Sequence, residues 1–260
     1  MREYVLGDDI RNIDWRVTAR TGSPHLKLFK EDKERQTILC VDMNSTMRFG
    51  TRNTFKSIQA ARCASLLGWR TLAHQDRLSA CLFGDVAGGL HYFASKRTHH
   101  ALCKVLKVLT EPPKEQHRVS LEDALQHICR VAHPGSLIYL ISDFMDLSPS
   151  FSKESLNRLS KSCDVVFISI NDAADQALVP AGVIGFCGQN AEKVSINTDS
   201  IKGRETYAAQ WEANRRTLNT LAERFKIPLI TLSTESEIHH DLLLGLKNIT
   251  KRMSGTTTRY

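Results

Sequence analysis

The feature that most narrows the fold is a pair of short apolar runs, each delivering a carboxylate at its end. Ile38, Leu39, Cys40 and Val41 lead directly into Asp42, and residues 137–141 lead into Ser142 and Asp143. An uninterrupted apolar run of this length is what a strand covered on both faces looks like, although a buried helix segment has the same composition. Stretches with apolar residues three and four apart separate such runs along the whole chain. That alternation argues for an α/β fold, a mostly parallel sheet with helices on both faces. In open sheets of this kind ligands gather at the carboxyl ends of the strands, where both aspartates fall.

After the first run, Asp42, Asn44 and Thr46 occupy every second position. Three oxygen-bearing side chains at one strand-to-helix turn suit a hard cation such as Mg²⁺. The same residues also make an ordinary polar turn, with Asp and Asn capping loop amides. A D-x-N-x-T pattern is short and common, so spacing alone leaves both readings open.

The periodicity predicts strands at 37–42, 77–83, 90–93, 137–142, 164–170 and 228–232, with 90–93 antiparallel at an edge. Gly84-Asp85 and Gly88-Gly89 supply the hairpin turn before that edge strand. A second hairpin is expected over 182–186 and 193–196. A helix over 54–74 turns Ile58, Ala61, Ala64, Leu67 and Thr71 inward, with Ala60, Ser65 and Gly68 small enough for close approach to the sheet. The next helix carries Leu102, Val105 and Leu109 and stops at Pro112-Pro113. Another starts at Ser120, whose hydroxyl is placed to cap the amide of Asp123. Tyr207, Trp211, Leu218, Leu221 and Phe225 share one stripe of a late helix and read as core.

With 260 residues, 42% apolar and 24% charged, the chain is long enough to bury a full core and has an ordinary globular balance. No apolar run approaches the roughly 18 residues that span a bilayer. The seven cysteines are scattered singly, without metal spacing, and read as small buried hydrophobes in a reducing cytoplasm. A net charge of +7 fits solubility or an acidic protein partner. No basic motif interleaved with aromatics is present, so nucleic acid is not expected. Adjacent His99-His100 and His239-His240 point about 100° apart on a helix and do not make metal pairs.

The N-terminal stretch is dense in ionic groups (Asp8, Asp9, Arg11, Asp14, Arg16, Arg20) around Trp15. It is expected to be a salt-bridged flap, with the acids paired to arginines and Trp15 packed on the sheet or its edge. Leu26, Leu28 and Lys30 alternate as a short strand. The organisation is therefore an extension over 1–35, a domain over 36–252 and a flexible tail over 253–260.

Three segments, REYVLGDDIRNIDWRVTAR, VDMNSTMRFG and LIYLISDFMD, resemble the bacterial family known as domain of unknown function 58. That family is similar to the von Willebrand factor A fold. The resemblance implies a Rossmann-like sheet with a metal-ion-dependent adhesion site, no known enzymatic activity, and pairing with a MoxR-type AAA+ ATPase. It also implies a segment ahead of the R-E-Y motif, on which this sequence begins. The family's ligand pattern is Asp-x-Ser-x-Ser, a Thr on a later loop and a further Asp. Asp42 matches the first position, Asn44 and Thr46 replace the serines, Val119 stands where the Thr belongs with Ser120 beside it, and Asp143 matches the last, with Asp146 nearby. The implied Mg²⁺ set is thus Asp42, Asn44, Thr46, Ser120 and Asp143.

The favoured function is a non-enzymatic protein-binding or adaptor module with a degenerate metal site. A metal-assisted phosphohydrolase built on Asp42 and Asp143 is the first alternative, weakened by the lack of a Gly-rich phosphate loop and of a general-base pair. Nucleic-acid binding is the second, resting on charge alone.

Overall fold

The computed structural model describes residues 2–5, 8–26, 34–112, 119–145, 147, 153–187 and 193–256. They form two compact units, Met1–Glu34 and Arg35–Tyr260. In the first, β1 (Arg2–Glu3) pairs antiparallel with β2 (His25–Leu26), and α1 (Trp15–Thr21) lies between them in sequence. Asp14 caps α1 by accepting the amides of Arg16 and Val17, each at 3.2 Å. Asp9 does the same for the short turn at Ile10–Asn12. Gly22, at φ +78°, ends α1 in the left-handed region that suits glycine.

Two expectations for this unit are corrected. Asp9 and Asp14 act on backbone amides instead of arginines, because each stands just before a helical turn with unsatisfied N–H groups. Trp15 is 66% exposed instead of packed. As the first residue of a helix that contributes no buried side chain, it has no core to join. Leu28 and Lys30 lie outside the described residues.

The second unit runs β3 (Gln36–Met43), α2 (Lys56–Ala73), β4 (Arg77–Gly84), β5 (Leu90–Lys96), α3 (His99–Thr110), α4 (Leu121–Val131) and β6 (Leu137–Ser142). It continues with α5 (Glu154–Ser162), β7 (Asp164–Asn171), α6 (Ala173–Gln176), β8 (Val183–Cys187), β9 (Lys193–Asn197), α7 (Ile201–Arg224), β10 (Leu229–Ser233) and α8 (Ile238–Thr256). Among the described residues six strands form one sheet in the order β10-β7-β6-β3-β4-β5. Every pairing is parallel except β4 with β5, which turns back at the sheet edge through Gly88 and Gly89, at φ +71° and +76°. The fold expected from the sequence is therefore present, and the two apolar runs that end in carboxylates, β3 and β6, lie side by side inside the sheet. A separate hairpin joins β8 and β9.

Both faces of the sheet are covered, which is why β3, β4, β6 and β7 read as continuous apolar runs. Leu39, Val41, Leu82 and Ile141 face one layer with Ala64 and Leu67 of α2, Leu102 of α3 and Leu242 of α8. Ile38, Cys40, Leu140 and Phe167 face the other, with Leu125 of α4, Leu156 of α5 and Leu218 and Leu221 of α7. Each fully buried Leu or Ile contributes about 1.5–3 kcal/mol by leaving water.

The inward stripe of α2 keeps Ala64, Leu67 and Thr71 as expected but is rotated at its start. Lys56, Gln59 and Cys63 point in, whereas Ile58 is 43% exposed. The rotation follows from the polar pair at its first turns: Lys56 reaches carboxylates, and the Gln59 amide donates to the carbonyls of Ser233 and Ser236, both at 3.1 Å. Gly68 faces α3 instead of the sheet; a Cβ there would lie 2.5 Å from Leu102 Cδ1.

Candidate functional site

Parallel pairing of β3 with β6 matches Val41 to Ile141, so Asp42 stands beside Ser142 and one register step before Asp143. Strand spacing and rise keep the two aspartates within about 8 Å at Cα. The side chains nevertheless part. Successive residues of a strand point to opposite faces. Asp42 follows Ile38 and Cys40 toward the α4 layer, whereas Asp143 reaches Lys56 of α2 on the other side.

On its side, Asp42 is tied to its own loop and to the next strand. Its carboxylate accepts the Asn44 amide at 2.9 Å and the Ser142 hydroxyl at 2.6 Å. Asn44 is held inward against Gly84, where a Cβ would meet Asn44 N at 2.6 Å, and its amide group approaches the Val119 carbonyl at 3.5 Å. Thr46 lies half-buried in the turn Ser45–Arg48. Ser120 is occupied by its helix: its hydroxyl donates to Asp123 at 2.7 Å and accepts the Asp123 amide at 3.2 Å, the expected capping box of α4.

Around Asp143 the arrangement is ionic. The Lys56 ammonium, 1% exposed, donates to Asp143 at 2.8 Å and to both oxygens of Asp175 at 3.0 and 3.2 Å. The second oxygen of Asp143 accepts the Met145 amide at 3.1 Å. Arg215 of α7 donates to Ser169 at 2.6 Å and to Asn171, and reaches the Asp143 carbonyl at 3.4 Å. Asp172 closes the far side, accepting from Thr51 Oγ1 at 2.5 Å, Thr234 Oγ1 at 2.7 Å and the Thr51 amide at 2.9 Å. Loops following β3, β7 and β10 are thereby stitched to one cluster.

Charge balance explains the protonation preferences. Burial alone would lower the Lys56 pKa, but Asp143 and Asp175 outweigh it and hold the ammonium above its ordinary value. Burial raises the Asp175 pKa, and Lys56 offsets this only in part because Asp143 pushes it up again. One cation between two anions gains from both, while each anion gains from the cation and loses to the other anion. Arg215 is lowered by burial against the pull of Asp143 and Asp175. Asp172 is lowered: burial works against its charge, and the hydrogen bonds from Thr234 and Thr51 win.

As placed, the five expected ligands do not fit one cation. Asp42 and Asp143 leave the sheet on opposite faces, the Ser120 hydroxyl serves a helix end, and an ammonium already touches Asp143 at 2.8 Å. Among the described residues no group of three or more His, Cys, Asp or Glu side chains is set to hold a metal. Asp146 lies outside them. Lys56, Asp172, Asp175 and Arg215 were missed from sequence. A signal for two of them existed: β7, like β3 and β6, ends in a carboxylate, in the stretch NDAAD.

Comparisons agree with this architecture. The profile of the family described as "Protein of unknown function DUF58" matches residues 1–217. An uncharacterised protein of Mycobacterium tuberculosis is 27% identical over 245 residues, covering 93% of this chain and 76% of its own length. A solved structure of the conserved hypothetical protein BatB from Bacteroides thetaiotaomicron superposes with a TM-score of 0.54 at 12% identity, over 85% of this chain and 99% of that one. A von Willebrand factor type A structure from Catenulispora acidiphila has a TM-score of 0.43 at 9% identity, over 74% of this chain and 42% of that one. The sheet order, the helices on both faces and the likeness to BatB agree on one α/β fold with a mostly parallel sheet. Among the described residues no helix is long and apolar enough to cross a membrane.

Proposed function

Because the chain belongs to the family of unknown function DUF58, we propose that it is a non-enzymatic protein-binding module of the von Willebrand A type, acting in the cytoplasm with a MoxR-type AAA+ ATPase. The observation that carries the reading is Lys56. Its ammonium neutralises Asp143, one of the two carboxylates that a metal-assisted phosphohydrolase would need, and Asp143 and Asp42 are only 2% and 5% exposed. Carboxylates held in this way fix loops; they do not meet a substrate. In this proposal Lys56 fixes the loops at the carboxyl end of the sheet, and those loops are held rigid for the partner. Cys40, Cys63, Cys81, Cys103, Cys129 and Cys163 are free, which agrees with the proposed reducing compartment.

The test is capture of a MoxR-type AAA+ ATPase from the same genome by the purified chain, in nucleotide-free buffer with either Mg²⁺ or EDTA. Equal capture in both is expected. Capture that needs Mg²⁺ and disappears with Asp42→Ala would favour the second reading, a divalent ion held by Asp42, Asn44 and Thr46. No capture in either buffer or with ATP would overturn the adaptor reading.

A further inference from the structure

We propose that the outer face of α2, with the groove beside its first turn, is the docking surface, and that it takes an acidic amphipathic helix of a protein partner. The inference rests on the protein-binding reading above. Phe55, Ile58, Leu66 and Trp69 are 49%, 43%, 39% and 45% exposed. At 100° per residue these positions, with exposed Arg62, fall within an arc of about 80° and extend about 21 Å along the helix. Such a stripe matches apolar anchors repeating every three or four residues on a second helix.

The stripe opens into a groove. Phe55, Ile58 and Ala61 of α2 face Leu109 and Pro112 across a cavity of about 500 Å³ that also borders Met43. Its concavity suits an inserted side chain and not a flat bilayer. Asp85 on its wall is tied to Arg48 at 2.5 Å; the contact lacks hydrogen-bond alignment and is an ion pair.

Charge selects the occupant. Helices α2 and α3 contain no Asp or Glu, and α8, on the same face of the sheet, contains only Asp241. Arg62, Arg70, Lys104 and Lys107 are exposed around the stripe. Among the described residues, the acids near it include Asp85, Glu235, which pairs with Arg52 at 3.3 Å, and Glu111 at the groove. A second copy of this chain would set Arg62 against Arg62 across a two-fold axis with no acid to answer it. Nucleic acid would leave Ile58 and Leu66 without partners. An acidic helix satisfies both the apolar stripe and its cationic border.

The test uses a fluorescent synthetic amphipathic peptide of about five turns, with Leu at the anchor positions and Glu elsewhere. A Lys-for-Glu version, phosphatidylglycerol vesicles and a DNA duplex serve as competing probes. Anisotropy should show binding of the acidic peptide and not of the basic one. Arg62→Glu should weaken acidic-peptide binding about tenfold or more, as like charges meet, and Leu66→Ser should weaken it with an unchanged melting temperature. Equal binding of both peptides, indifference to Arg62→Glu, or binding of only vesicles or DNA would overturn the proposal. Capture of the AAA+ protein separates the two readings. Equal capture by wild type and Arg62→Glu removes this surface and leaves the adaptor reading; selective peptide binding without AAA+ capture by wild type does the reverse.

Discussion

Asp42 and Asp143 end neighbouring strands, one register step apart, and are buried alike, yet they are held by different physics. Asp42 accepts from two neutral donors, the Ser142 hydroxyl and the Asn44 amide. Asp143 is satisfied by an ammonium that it shares with Asp175. A single step of strand register separates the two, because the pleat sends consecutive positions to opposite faces. Whether two carboxylates make one site or two is thus decided by register, which composition and spacing do not reveal.

The comparison breaks first at Lys56. Lys56→Met removes the ammonium that Asp143 and Asp175 share, leaving only the more distant Arg215 to balance them, and should cost about 3–5 kcal/mol in denaturant unfolding. Adding Asp143→Asn and Asp175→Asn to it should recover much of that loss. A Lys56→Met protein as stable as wild type would mean that the ammonium is not what holds the cluster.

Titration sharpens the same point. The folded pKa of Lys56 is raised above the ordinary 10.5, so its stabilisation is fully present below 10.5 and is lost as pH rises through the higher folded value. Thermal melts of wild type should therefore fall across that alkaline window, and melts of Lys56→Met should fall less. Asp42 predicts a smaller effect. Asp42→Ala removes two hydrogen bonds to neutral donors and leaves the Ser142 hydroxyl without its acceptor, about 1–3 kcal/mol. A loss as large as that of Lys56→Met would show that the two carboxylates act as one unit. Ser120→Ala should cost least, about 0.5–2 kcal/mol, the value of a helix cap, with no change in metal affinity by calorimetry.

Much of the fold was legible in the sequence. The apolar runs of β3 and β6, the glycine turn before β5 and the Ser120–Asp123 box each act within a few residues, and each is found where expected. The site was half legible. Asp42 and Asp143 lie at the carboxyl end of the sheet as read, but the partner of Asp143 is 87 residues away in the chain. Lys56, one residue into a helix, resembles a solvated cation until its orientation is known, and helix rotation depends on contacts made with several elements at once. Trp15 failed for the converse reason. A lone aromatic among charges suggested packing, but packing needs a face to meet, and α1 buries nothing.

Gly68 is the hydrogen-bearing floor on which Leu102 rests, with room for no Cβ at 2.5 Å. Helices α2 and α3 run in opposite senses there: the Trp69 and His99 rings meet at a tilt with centroids 5.1 Å apart, and two turns away Ala61 and Leu109 border one groove. The missing methyl therefore works as a shim in reverse. Its absence sets the gap between two helices, and with it the width of an opening about 10 Å distant. Gly68→Ala would force the Leu102 side chain or α3 itself to give way and so change that opening without altering any residue that lines it, and Leu102→Val beside it would relieve the clash. Substitution at this buried pair is thus a way to retune the opening while every exposed side chain stays the same.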